Sequence, residues 1–198
     1  MAQIEYYEKL LEEINDRLFE IEEIQGKFEE NIYLKALNSL PESKRNLVDL
    51  PYVSDEEYIL KWLQQDFEKL SFRENTPEYY TRKGMRVRSK TEVIIADMLD
   101  EMAVPFIYEK PLELNSETVH PDFTLLNVKN RKEVYWEHFG MMDDVEYRNN
   151  AFLKIRKYEE AGLFQHDSVI WTFETSKYQI STKLLRKMIA GLGEAFYQ

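Results

Sequence analysis

The stretches Val119-His-Pro-Asp-Phe-Thr-Leu-Leu126 and Val134-Tyr-Trp-Glu-His-Phe139 each hold one carboxylate, Asp122 and Glu137, inside an apolar and aromatic run. Such runs predict strands. A carboxylate in a buried strand is costly unless its charge is compensated. A divalent cation is the simplest compensation, and oxygen-only ligands favour hard Mg²⁺ or Mn²⁺ over zinc. Pro121 cannot donate to a ladder, so it belongs at a strand start, an edge or a bulge that turns the next side chain out of the pleat. The dipeptide is also common in turns. Alternation along the second stretch sets Tyr135 and Glu137 on one face and Trp136 and His138 on the other. Glu137 therefore faces either solvent or a site. If it binds an ion, the His138 carbonyl offers a further oxygen. The side chains of His120 and His138 are read in ordinary hydrogen-bonding roles.

Working outward, helical periodicity covers residues 89–102, 145–161 and 182–192, and strand signals cover 106–109, 119–126, 133–139 and 169–173. The order is αβββαβα, an α/β class with a mixed central sheet flanked by helices. Glu92 lies in the first turn of the 89–102 helix. There it either closes a capping box with Ser89 or reaches the same ion as Asp122 and Glu137. Lys154, between Leu153 and Ile155, shares a helix face with Tyr147, Ala151 and Tyr158. It either points inward to a site or snorkels along the surface. Tyr147 and Tyr158 either contact phosphate or pack.

Upstream, apolar residues from Ile4 to Ile32 recur three and four apart, with Gln25 and Gly26 interrupting. Residues 3–37 read as one long helix, paired with a second copy or a partner helix, or folded back on its own domain. The expected division is a long helix over 1–40, a linker and helix over 41–81, and the α/β domain over 82–198. The helix of the middle segment begins at Ser54-Asp-Glu-Glu57, which fits a capping box.

The chain has 198 residues, no cysteine and three histidines, which excludes disulfides and disfavours a zinc site. There is no apolar leader and no membrane-length apolar run, so a cytoplasmic protein is expected. The net charge of −11 opposes a polyanion-binding role, but it is uneven. Residues 1–70 hold 17 acids and 8 bases (−9); residues 71–198 hold 20 and 18 (−2). Arg82, Lys83, Arg86, Arg88 and Lys90 cluster just before Glu92. They form either a phosphate-binding patch or a solvated charged loop.

On Glu92, Pro121-Asp122 and Glu137 in this order, residues 82–192 resemble the PD-(D/E)XK nuclease superfamily. The strings Arg88-Ser-Lys-Thr-Glu92 and Tyr135-Trp-Glu-His-Phe-Gly-Met-Met-Asp-Asp144 are similar to an uncharacterised bacterial or prophage branch of it. The resemblance implies a restriction-endonuclease-like core in which Glu92, Asp122, Glu137 and the His138 carbonyl bind Mg²⁺ or Mn²⁺. The motif's lysine belongs two residues after the strand acid, where this chain has Phe139. Some members carry that lysine on the next helix, and Lys154 is the candidate. The implied activity is metal-dependent hydrolysis of phosphodiesters, in DNA rather than RNA, with Arg82 to Lys90, Tyr147 and Tyr158 on the nucleic acid. The alternative is an inactive module of the same fold that binds protein or nucleic acid through the N-terminal helix.

Overall fold

The computed structural model describes residues 54–197 except 73, 75 and 166, together with 6–7, 9–11, 13–18, 36 and 39–45. The chain divides into two compact units, Met1–Ser54 and Asp55–Gln198. In the first, the described residues between 6 and 18 are helical, and Leu11, Ile14 and Leu18 are exposed. Ile4, Gln25, Gly26 and Ile32 of the expected heptad seam lie outside the described residues. Among the described residues no helix is long and apolar enough to cross a membrane.

The second unit is mixed α/β. Numbered from its start, it contains α1 (Asp55–Leu63), β1 (Tyr79–Tyr80), β2 (Arg86–Val87), α2 (Lys90–Glu101), β3 (Phe106–Tyr108), β4 (Leu112–Leu114) and β5 (Glu117–Val119). There follow β6 (Phe123–Asn127), β7 (Lys132–Phe139), α3 (Val145–Glu160), β8 (Val169–Phe173) and α4 (Thr182–Tyr197). The central sheet runs β3-β6-β7-β8, antiparallel at its first two junctions and parallel between β7 and β8. A parallel pair needs a crossover connection, and α3 supplies it.

Helices cover both faces. Phe123, Leu125, Val134 and Trp136 meet Ile95, Ala96 and Leu99 of α2 and Leu185, Ile189 and Phe196 of α4. On the opposite face Phe139 and Trp171 pack with Ala151 and Tyr158 of α3 and with Leu114 and Val119 of the β4–β5 hairpin. Trp62 of α1 closes the end of the sheet over Ile107, Leu126 and Val128. Each of the Val, Leu, Ile and Phe side chains among these contributes about 1.5–3 kcal/mol when fully buried.

Three differences from the sequence reading have local causes. The stretch 119–126 is two strands, because Pro121 offers no N–H and the ladder restarts only at Phe123. Residues 115–117, between the strand signals at 106–109 and 119–126, include a tight β4–β5 turn in which Asn115 and Ser116 have φ of 47° and 74°. That is the left-handed pair a two-residue hairpin requires. The helix expected over 182–192 continues as α4 through Gly191 and Gly193 to Tyr197. There the apolar stripe of Leu185, Ile189 and Phe196 outweighs the glycine penalty, which is about 1 kcal/mol per residue.

Candidate active site

The extended geometry of β7 sends Trp136 and His138 towards α2 and α4, and Glu137 towards α3. Glu137 is 2% exposed. A buried carboxylate needs partners, and two come from consecutive turns of one α3 face. Lys154 Nζ lies 2.6 Å from Oε1 and 2.7 Å from Oε2, and the Tyr158 hydroxyl donates to Oε1 at 2.7 Å. The inward reading of Lys154 therefore holds, and its ammonium also donates to the His120 carbonyl at 3.2 Å.

Asp122 sits where the β6–β7 ladder stops. The register that pairs Phe123 with Trp136 would set Pro121 opposite His138. Instead the Asp122 carboxylate accepts the His138 N–H at 2.6 Å. The N–H and C=O of one antiparallel strand residue point to the same side, so the His138 carbonyl lies on Asp122's side of β7.

Glu92, also buried, sits in the first turn of α2. Ser89 caps the helix by accepting the Glu92 N–H at 3.2 Å. The return arm of the expected box is shifted by one residue. Glu92 Oε2 accepts the N–H of Arg88 at 2.8 Å, together with the Tyr108 hydroxyl at 2.7 Å.

These charges act on one another. Burial pushes the Asp122 carboxyl well above the usual carboxylate range, and the charges of Glu137 and Glu92 add to the rise, against Lys154 and the His138 N–H. Burial also raises Glu137, although Lys154 and Tyr158 oppose it. Desolvation pulls the Lys154 ammonium down, but Glu137 and Asp122 outweigh this and leave it above its ordinary value. Asp122, Glu137, His138, Tyr147, Asn150 and Lys154 line an open cavity of about 220 Å³. A groove of about 710 Å³ adjoins it, sharing Asn150 and Lys154.

Among the described residues, no group of three or more Asp, Glu, His or Cys side chains is arranged to hold a metal ion. The expected ring of Glu92, Asp122 and Glu137 around one ion is therefore not assembled in this arrangement. The reason lies in the partners: Glu137 is held by Lys154 and Tyr158, and Glu92 by Arg88 and Tyr108. The donor chemistry still fits a hard divalent ion, with Asp122, Glu137 and the His138 carbonyl as the residues that would hold it.

The remaining candidates are dispersed. Tyr147 lines the cavity and accepts the Gly140 N–H at 3.2 Å, while Tyr158 is fully buried against Trp171 and Glu137. Arg82 pairs with Asp97 and Glu101, Lys83 with Asp100, Arg86 with Glu78, and Arg88 with Glu109. Both Arg86 and Arg88 stack over Phe72. Lys90 is exposed. Sequence reasoning missed Tyr108, Thr91 and Glu174. Tyr108 binds Glu92, and the Thr91 hydroxyl donates to Glu174. No short-range spacing connects these residues.

No family model matches the chain. Over 109 residues it is 33% identical to the uncharacterised protein MJ1519 of Methanocaldococcus jannaschii, an alignment that spans 55% of this chain and 9% of that protein. The chain thus corresponds to a small part of that relative's length. A cryo-electron-microscopy structure of a DrdV–DNA complex is similar over 52% of this chain and 10% of that chain, at 17% identity and a TM-score of 0.30.

Proposed function

We propose that the chain is a Mg²⁺- or Mn²⁺-dependent nuclease, acting on DNA in preference to RNA, with a restriction-endonuclease-like core. The observation that carries this reading is the buried Glu137–Lys154 pair, set beside Asp122 at an interrupted ladder and open to a cavity. Raised carboxyls and a retained ammonium in one cleft are the grouping that phosphoryl chemistry uses. The reaction is hydrolysis: a water oxygen bonds to phosphorus, and an ester oxygen leaves with a proton. Bound there, a divalent ion would supply Lewis-acid chemistry, a polarised phosphoryl oxygen and a more acidic water. Asp122 and Glu137 would hold that ion. Tyr158 fixes the rotamer of Glu137, and the His138 N–H fixes Asp122. Lys154 keeps its charge at neutral pH and offsets negative charge that develops on the phosphate.

The test is incubation with single- and double-stranded DNA and RNA in Mg²⁺, Mn²⁺ or EDTA, alongside Asp122→Asn. Cleavage that requires metal and disappears in a folded Asp122→Asn protein is the expected result. Activity retained by that variant removes Asp122 from the mechanism, and cleavage in EDTA overturns the metal requirement. A second reading, an inactive module of the same core, is favoured by the engagement of Glu137 by Lys154 and Tyr158. Failure to cut any polymer selects it.

A further inference from the structure

We propose that Glu174, acting with Thr91 and the His138 ring, is a positioning layer behind the site that holds the His138 segment in register with Asp122. The proposal rests on the metal-dependent reading above and assigns the residues that hold its ligands in register.

Glu174 follows the last residue of β8 and does not line the cavity. Its main chain is tied to the segment after Glu137: its N–H donates to the Phe139 carbonyl at 2.9 Å, and its carbonyl accepts the Met142 N–H at 3.0 Å. Its carboxylate gathers partners from three separate places. Oε1 accepts the Thr91 hydroxyl at 2.9 Å, and Oε2 accepts the Ile180 N–H at 3.2 Å. His138 Nε2 lies 3.2 Å from Oε1, close enough to pair but without hydrogen-bond alignment. The other ring nitrogen of His138 lies 3.0 Å from Thr172 Oγ1, which also accepts the Trp136 indole N–H at 2.9 Å.

One of these partners anchors the layer to α2, and the other grips a candidate ligand. Thr91 immediately precedes Glu92 in the first turn of α2. His138 is the residue whose N–H holds Asp122 at 2.6 Å. One carboxylate therefore links the helix turn that carries Glu92 to the strand residue that grips Asp122, from the face opposite the cavity. A side chain needed only to fill space there would not require three polar partners. Outer-layer partners of this kind orient ligands, and their loss typically weakens metal binding by about 10–100-fold.

The experiment measures Mn²⁺ affinity by electron paramagnetic resonance of the free ion, independently of cleavage, with thermal unfolding followed in parallel. The variants are Glu174→Ala, Glu174→Gln and Thr91→Val. Asp143→Ala is the control, because Asp143 clamps a neighbouring loop by accepting the Ser176 N–H and hydroxyl and does not line the cavity. We expect Glu174→Ala and Thr91→Val to weaken Mn²⁺ binding about tenfold. Glu174→Gln, which keeps an acceptor for Thr91, should recover part of that loss, and Asp143→Ala should leave affinity unchanged. Wild-type affinity in Glu174→Ala and Thr91→Val, whatever their melting temperatures, overturns the positioning role and leaves the nuclease reading standing. Should Glu174→Ala fail to fold, Thr91→Val removes a single hydroxyl and still decides the matter. A wild-type protein that takes up no Mn²⁺ overturns both.

Discussion

Lys154 and the Arg82–Lys90 segment are both cationic features beside acidic residues, yet the fold treats them in opposite ways. Lys154 is one-third exposed and faces a Glu137 side chain that is 2% exposed. Arg82 and Lys83 are 77% and 71% exposed and lie along acids on the surface of α2. The first pair is held at low dielectric, where removing one member strands the other. The second is screened by water and salt, where pairing contributes little. Cations that look equivalent in sequence thus differ in what they do, and burial of the partner makes the difference.

The sharpest way to break that contrast is Lys154→Met. It leaves the Glu137 charge buried with only Tyr158 as a side-chain partner, and we expect a loss of about 3–5 kcal/mol in urea unfolding. The double variant Lys154→Met with Glu137→Leu should recover most of it, since replacing a whole buried pair with apolar groups is often neutral. A loss no larger than that for a surface lysine would place Lys154 with the exposed group.

A smaller effect of opposite sign is expected at Asp122. Its folded pKa lies above its unfolded value, so the folded state binds that proton more tightly. The resulting stability is fully present below the unfolded pKa and is lost as pH rises through the folded one. Above its folded pKa the ionised Asp122 therefore destabilises the fold. Asp122→Asn, which still offers an oxygen to the His138 N–H, should raise the melting temperature by about 2–4 °C per kcal/mol recovered. It should also flatten the decline in stability above the ordinary carboxylate range while abolishing cleavage. Calorimetry across that pH range checks this.

Glu174 shows the reverse sign. Burial raises it, but hydrogen bonds from Thr91 and the Ile180 N–H, with the His138 ring, outweigh burial and leave it below the usual range. Its contribution is present above the unfolded pKa and is lost as pH falls through the folded one. Glu174→Gln should remove that small acid-side loss. Smallest of all, Arg82→Ala and Lys83→Ala should leave the melting temperature within measurement error, at low and high salt alike.

Much of the arrangement was legible because the runs around Asp122 and Glu137 and the helical stripes of residues 89–102 and 145–161 carry strong periodicity. Pro121 announced an interruption but not its use, since only the β6–β7 register shows that Asp122 takes the N–H left over. Lys154 was placed on the correct helix face by spacing alone, but its depth depends on how α3 crosses the sheet. The partners of the basic cluster were illegible for the same reason. Asp97 and Asp100 lie one helix along, while Glu78 and Glu109 come from outside that helix altogether. Glu174 carried no signal, being a single acid after a strand.

Phe139 bears on how freely this sheet can change. It is 3% exposed, stacks on Phe173 with ring centroids 5.4 Å apart and packs against Trp171. With the ammonium delivered by α3, strand position 139 lies within a seam of rings. A lysine introduced at 139 would have to be desolvated among aromatics and would compete with Lys154 for the same acid. The seam of rings thus leaves α3 as the element from which a cation reaches Glu137.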